Sequence, residues 1–239
     1  MAAPAWRMAR LMDSEAESPQ ARRFRFSIPG MDRFDFLPGQ YLTLDLPIGT
    51  KPEERQRSFS IASVPDGTNQ FELLIGRHDE GPGTHYLFYE ARPGTEIPFQ
   101  GPRGRFTLPG QLQHDLLFVC TGTGIAPFHS MIGHIYSAQI PHREVHLVFG
   151  TRTEQDLFYH EEWLHLEASQ PDFHYHPVLS RKTWKGHSGY VHDVYPELLK
   201  ERPDAIVLLC GWKEMIKQAR ERLIAMGIPQ ASIHQESYG

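Results

Sequence analysis

Polar and apolar residues alternate with a period of two in three short stretches of the first half of the chain: residues 23–28, 41–46 and 71–75. Side chains on a strand point alternately to its two faces, so each stretch reads as a half-buried strand. The turn signals Ile28-Pro29-Gly30, Leu37-Pro38-Gly39, Pro65-Asp66-Gly67 and Arg92-Pro93-Gly94 punctuate them. Several short strands at this spacing predict a small barrel or sandwich over residues 6–108. Helical periodicity appears once there, at 84–90, directly after Gly81-Pro82-Gly83. The pattern changes at about Pro109. Continuous apolar runs at 116–120, 145–149, 174–179 and 205–210 read as strands buried on both faces. Amphipathic segments at 128–138, 155–168, 190–200 and 215–226 lie between them and predict helices. Strands alternating with helices imply an open parallel sheet covered on both sides. The chain is therefore expected to hold an all-β domain over 1–109 and an α/β domain over 110–239.

The first buried run ends in Thr121-Gly122-Thr123-Gly124-Ile125-Ala126-Pro127. Strand, glycine turn and helix start together favour an anion. Glycines let a phosphate approach the backbone, and free N–H groups at a helix N-terminus attract negative charge. Pro127 suits a first helical turn, where its missing N–H leaves nothing unsatisfied. The pattern is Gly-x-Gly-x-x-Pro, without the usual third glycine of a dinucleotide fingerprint. By itself it also fits a tight turn with no ligand.

Composition removes several classes of function. The chain has 239 residues, 40% of them hydrophobic and 22% charged, and no apolar run long enough to span a bilayer. A net charge of −5 argues against nucleic acid as the main partner. Two cysteines, Cys120 and Cys210, are too few for a disulfide framework, a zinc site of thiolates or an iron–sulfur cluster. No secretory signal is recognisable, and a cytoplasmic location is expected. Fourteen histidines are scattered along the chain. His142, His146 and His174-Tyr175-His176 lie in or beside strand-like runs without a third ligand at helical spacing, so no metal site is expected.

Arg55-Gln56-Arg57-Ser58-Phe59-Ser60 enters an alternating strand with Arg57 and Phe59 on one face and Ser58 and Ser60 on the other. A guanidinium beside an aromatic ring suits a ligand with both a phosphate and a flat heterocycle. In order along the chain come Phe36-Leu37-Pro38-Gly39-Gln40-Tyr41, Arg57-Ser58-Phe59-Ser60, Gly83-Thr84, Gly101-Pro102-Arg103-Gly104-Arg105-Phe106, Gly122-Thr123-Gly124-Ile125-Ala126-Pro127, Ser180-Arg181, Cys210-Gly211 and Glu236-Ser237-Tyr238. This succession resembles the ferredoxin–NADP reductase superfamily of flavoproteins over nearly the whole chain. The resemblance implies an N-terminal antiparallel β-barrel that binds flavin, followed by an α/β open-sheet domain that binds a pyridine nucleotide.

It also implies roles for individual residues. Arg57 would meet the phosphates of FAD, Ser58 would belong to the same FAD site, Phe59 would meet the flavin ring, and Ser60 the neighbourhood of flavin N5. Phe59 replaces the family's usual tyrosine and lacks its hydroxyl. Leu74, Ile75, Gly76 and Arg77 would line the flavin through backbone groups, and Gly83 and Thr84 would hold the pyrophosphate by N–H donors and the hydroxyl. Thr123 would face the flavin, and Tyr238 would cover its ring until nicotinamide displaces it. For the nucleotide, Gly122, Thr123, Gly124, Thr151, Arg152, Ser180, Arg181, Tyr190, Cys210 and Gly211 are implied. Ser60, Cys210 and Glu236 would stand closest to the hydride. No acid follows the strand at 145–149 until Glu154, whereas Arg152 and Arg181 are available for a 2′-phosphate. NADPH is therefore expected over NADH.

The activity implied is hydride transfer from NADPH to bound FAD, then release of single electrons to ferredoxin or flavodoxin. Arg22, Arg23, Arg25, Arg103 and Arg105 offer a basic rim for an acidic partner. Two alternatives remain open: an NADH-dependent reductase component of an oxygenase, and a flavin relay subunit without pyridine-nucleotide turnover.

Overall fold

The first strand, β1 (Arg7–Ser18), escapes a period-two count because it fully buries only Ala9 and Leu11. In this computed structural model, which describes residues 5–238, β1 is nonetheless internal to a six-stranded antiparallel sheet. The others are β2 (Ala21–Ser27), β3 (Tyr41–Asp45), β4 (Gln56–Ser60), β5 (Gln70–Gly76) and β6 (Glu96–Arg103), in the order β4-β3-β6-β1-β2-β5. Charged pairs across the strands steady β1: Arg10 with Glu96, Arg25 with Asp13 and Arg23 with Glu17, each at 2.8 Å. A bridge between Ile61 and Leu73 joins the end of β4 to β5, and Ala62 N–H donates to Glu72 O at 2.8 Å. That contact closes the sheet into a barrel, which leaves few free edges.

Inward-facing aromatic residues fill the barrel. Phe26 stacks on Phe71 at 5.2 Å, and Phe71 meets Phe99 at 5.5 Å, all three fully or nearly fully buried. Burial of each such ring stabilises the fold by about 1.5–3 kcal/mol. One turn of helix, α1 (Pro52–Arg55), leads into β4, and α2 (Pro82–His85) continues as a π-helical turn over Tyr86–Glu90.

The backbone groups into two units. The first runs through Leu108 and takes in α3 (Ala126–Ser137); the second holds Pro109–Ile125 and the chain from Ala138 onward. Within the first, His129 Nδ1 and Ala62 O are hydrogen-bonded at 2.7 Å, with the ring nitrogen as donor. Gly133 is needed in mid-helix because a Cβ there would lie 2.4 Å from Val64 Cγ2.

The second unit is the open sheet that the apolar runs imply. Its strands are β7 (Leu116–Thr121), β8 (Val145–Thr151), β9 (Phe173–Leu179), β10 (His187–Ser188), β11 (Ile206–Trp212) and β12 (Ile233–Tyr238). All pairs are parallel, in the order β10-β9-β8-β7-β11-β12. On one face Leu117, Val119, Val148, Val178 and Val207 pack against residues of α5 (Tyr195–Lys200) and α6 (Lys213–Ala225). On the other, Trp163 of α4 (His160–Ser169) sits on Phe173 and Tyr175.

Two expected helices are shorter than their periodicity. The 155–168 segment starts only at His160, after a 3-10 turn and Tyr159 in the left-handed region at φ 58°. The 190–200 segment breaks at Val194, and Pro196 then occupies the first turn of α5, where proline is tolerated. Among the described residues no helix is long and apolar enough to cross a membrane.

Candidate functional site

Successive strands pair outward from β7 in both directions, β8 on one side and β11 on the other, so the strand order reverses between β7 and β11. Open α/β sheets take ligands outside the carboxyl ends of their strands at such a reversal. The Gly-Thr-Gly turn leaves β7 at that place. Gly122 has φ 54°, and Gly124 is pressed against β11: a Cβ on Gly124 would lie 2.5 Å from Cys210 O and 2.7 Å from Gly211 Cα. Gly211, at φ 136°, is equally close to β7, since a Cβ there would be 2.6 Å from Thr121 Oγ1. Two motifs 86 positions apart in the chain (210 minus 124) therefore touch backbone to backbone. Thr123 lies half-buried in the turn between them.

Cys210 is fully buried and in register with Cys120 and Glu236 on its two neighbouring strands. Burial pushes its thiol well up, a hydrogen bond with Tyr238 works the other way, and the Glu236 charge adds to the rise. Burial likewise raises Cys120. Both sulfurs are protonated at neutral pH, so neither is a nucleophile. Cys210, Glu236 and Tyr238 form one group, with Tyr238 paired to Trp212 at the sheet's carboxyl edge.

The two arginines expected at the 2′-phosphate also come together. Ser180 N–H and Oγ donate to Thr151 O at 2.9 and 3.1 Å, and Arg181 N–H donates to Arg152 O at 3.2 Å. The carboxyl ends of β8 and β9 are thereby locked side by side. Both side chains are exposed, and neither takes part in an ion pair among the described residues. Lys182 and Lys185, which motif reading passed over, add charge to the same exposed loop. Tyr190 is 66% exposed, with its N–H donated to Asp193 Oδ2 at 2.8 Å. Trp212, 70% exposed, is a second open aromatic surface.

In the barrel, Arg57 leaves β4 beside α2. A Cβ on Gly83 would lie 3.2 Å from Arg57 Cγ and 3.3 Å from Leu46 Cδ1. The guanidinium is positioned by Gln56 O at 2.8 Å and Glu53 O at 3.3 Å, which leaves further N–H donors for an anion. The first-turn N–H groups of α2 have no intrahelical acceptor and are available to the same anion. The Thr84 hydroxyl is differently employed from expectation. It donates to His78 O at 2.9 Å, accepts from His78 N–H at 3.1 Å, and so pins the loop that presents Gly83.

Ser58 shares a hydrogen bond with Thr43 at 3.0 Å across the β3–β4 pair. Phe59 packs one side on the barrel core and keeps the other partly open, while Ser60 is buried at the end of β4. Past Leu73, β5 pairs with β2 alone, so the backbone at Leu74, Ile75 and Gly76 has one edge free of strand partners. Arg77 is held by Asp79 at 2.9 Å and Tyr89 Oη at 3.3 Å.

The basic rim is smaller than its arginine count suggests. Arg23 and Arg25 are in ion pairs with Glu17 and Asp13, and Arg22 lies over the Phe88 ring while donating to Phe88 O at 3.3 Å. Arg103 and Arg105 alone of the five keep neither an ion pair nor a ring contact among the described residues.

Two family models match the chain. The model of the oxidoreductase FAD-binding domain matches residues 8–108, and that of the oxidoreductase NAD-binding domain matches 118–221. The chain is 34% identical over 240 residues to ferredoxin–NADP reductase B of Sorangium cellulosum, covering 96% of each. It is 30% identical to the anthranilate 1,2-dioxygenase electron transfer component of Acinetobacter baylyi, covering 86% of this chain and 59% of that one. Among solved structures, a ferredoxin NADP+ reductase from Neisseria gonorrhoeae with bound FAD and NADP superposes at a TM-score of 0.80 with 25% identity, over 97% of this chain and 98% of that one. The chain belongs to the ferredoxin–NADP reductase family of flavoprotein oxidoreductases, with an FAD-binding barrel followed by an NAD-binding open sheet.

Proposed function

We propose that the protein oxidises NADPH and delivers the electrons singly to ferredoxin or flavodoxin. The observation that carries this reading is the close seating of Gly124 on Cys210 and Gly211, which brings the Gly-Thr-Gly turn and the Cys-Gly pair together at the sheet's switch point. FAD held in the barrel would supply the conversion between the two-electron chemistry of a pyridine nucleotide and the one-electron chemistry of a protein acceptor. The residues of the chain bind, orient and exclude water.

Arg57 and the first-turn N–H groups at Gly83 and Thr84 hold the FAD pyrophosphate by charge-assisted hydrogen bonds. The cradle fits, since any side chain on Gly83 would crowd Arg57. Phe59 offers its open face to the flavin ring, and the free edge of β5 at Leu74 to Arg77 offers N–H and C=O groups to its polar rim. Ser60, buried at the end of β4, would be the side chain offered to flavin N5. Gly122, Thr123 and Gly124 admit the NADPH pyrophosphate. Thr151 and Ser180 fix the strand ends that carry Arg152 and Arg181 to the 2′-phosphate, and Tyr190 stacks on adenine. Cys210 and Gly211 bed the nicotinamide, with Cys210 held neutral by burial. Glu236 and Tyr238 close the site from β12. Arg103 and Arg105 supply positive charge for an acidic acceptor.

The relatives also support a second reading. The chain spans about three-fifths of the dioxygenase electron transfer component it matches, so a reductase working with an oxygenase is the alternative. Steady-state electron transfer to ferredoxin, to flavodoxin and to a dye, each with NADPH and NADH, separates the two. Preference for NADPH with turnover of either small acceptor supports the proposal. Preference for NADH with neither acceptor reduced supports the oxygenase reading.

A further inference from the structure

The end of the open sheet opposite the switch point carries a cluster of nitrogen and oxygen donors that hydride transfer does not use. Glu144 stands just before β8, His146 within it, and His174 and His176 in β9. Alternate residues of a strand share a face, and the parallel register sets His146 beside His174. The pattern Glu-x-His on one strand and His-x-His on the next therefore lays four donors on one face. His174 Nε2 and Glu144 Oε2 are 2.5 Å apart, and His146 Nδ1 and His176 Nε2 3.2 Å. The His146 ring lies 4.6 Å from that of His174 and 5.5 Å from that of His176. One donor atom each from Glu144, His146 and His174 falls within 4.8 Å of the other two.

A second observation points to a ligand. His146 is only 3% exposed, and its Nε2 is buried with no hydrogen-bond partner. Buried polar atoms are rarely left without one. Two nearby arginines are paired with a carboxylate. Arg143 and Arg202 both reach Asp115, at 3.1 and 3.6 Å, so with Glu144 the neighbourhood holds two positive and two negative groups.

We propose that Glu144, His146 and His174, with His176 as a fourth donor, form a binding site for a divalent transition-metal ion of the zinc type. Imidazole and carboxylate suit Zn2+, whereas Mg2+ and Ca2+ take oxygen donors alone. An ion about 2.0–2.2 Å from each donor would draw the donor atoms of Glu144, His146 and His174 together from within 4.8 Å of one another. Glu144 and His174 are half exposed and free to make that move. The ion would tie β8 to β9 at their amino ends, about 16 Å along β8 from Thr151 at a rise of about 3.3 Å per residue. The site runs against the sequence expectation of no metal, which rested on helical spacing. On strands the relevant spacing is two.

The test is titration of the chelator-stripped, FAD-loaded full chain with ZnCl2, followed by calorimetry and thermal melting, and with CoCl2, followed by visible absorption. One Zn2+ per chain, a raised Tm and the visible bands of four-coordinate Co2+ are expected. Glu144→Gln and His174→Gln, both at half-exposed positions, are expected to weaken Zn2+ at least about tenfold, because even a group that merely orients a metal ligand is worth that much. FAD content and reduction by NADPH should be unchanged in both variants. Wild-type protein that takes up no stoichiometric Zn2+, or variants that bind it as tightly as wild type, would overturn the proposal.

Discussion

Substituting Gly124 by alanine puts the smallest possible side chain where the structure leaves no room. The methyl group would meet Cys210 O at 2.5 Å, Cys210 C at 2.7 Å and Gly211 Cα at 2.7 Å. Ordinary contact begins at 3.4 Å, so the two segments must part by about 0.9 Å (3.4 minus 2.5). All three atoms are backbone, and β11 is bonded to β7 and β12 on its two edges, so no side-chain rotation relieves the clash. Overpacking of this kind costs about 1–3 kcal/mol. At about 2–4 °C per kcal/mol, Tm should fall by roughly 2–12 °C. The larger effect is on chemistry, since a misplacement of about 1 Å at a reacting centre costs about a hundredfold in rate. Anaerobic stopped-flow mixing of Gly124→Ala with NADPH should show flavin reduction slowed by that order, with FAD content normal. Gly122→Ala is the contrast: no atom lies within 4 Å of its Cβ, so it bears only the strain of φ 54° and should slow reduction far less. A Gly124→Ala protein that melts and reacts like wild type would refute the claim that this backbone contact shapes the nicotinamide site.

Three further outcomes follow from the same geometry. Arg57→Ala should weaken FAD by about a hundredfold or more, because two charge-assisted hydrogen bonds at about 1.5–3 kcal/mol each are lost; fluorescence titration of the released flavin measures it. Arg181→Ala should raise KM for NADPH about tenfold while that for NADH changes less than about twofold, as expected of an exposed contact of about 1.4 kcal/mol to a phosphate that only NADPH carries; equal effects on both coenzymes would remove Arg181 from the 2′-phosphate. Cys120 and Cys210 should resist a thiol reagent in native protein at pH 8 and react after denaturation, since their raised pKa keeps them protonated in the folded state and unfolding returns them to the ordinary range near 8.5. Rapid modification of either in native protein would contradict that burial.

The elements that were legible in the sequence are those whose signal is local. The run 116–120 and the turn after it could be read as strand, glycine turn and helix start because each depends on neighbours in the chain. The strand β1 could not, because Arg10, Asp13 and Glu17 are stabilised by Glu96, Arg25 and Arg23 on other strands. The arginine rim was overcounted for the same reason: the partners that neutralise it lie across the sheet. Motif order identified Gly83 and Arg57 as members of one site, but only the structure supplies the reason for glycine, a Cβ position 3.2 Å from Arg57 Cγ. It also shows the Thr84 hydroxyl bonded to His78 O rather than free for phosphate. The histidines of β8 and β9 share no helical period, and their proximity depends on strand register, which pairs His146 with His174.

One measurement bears most directly on the central claim that this chain holds FAD and takes a hydride from NADPH. FAD-loaded protein, mixed anaerobically with stoichiometric NADPH, is predicted to lose its yellow absorbance within a single turnover, faster than with NADH. A protein that stays colourless after reconstitution with FAD, or stays yellow with both coenzymes, would contradict it.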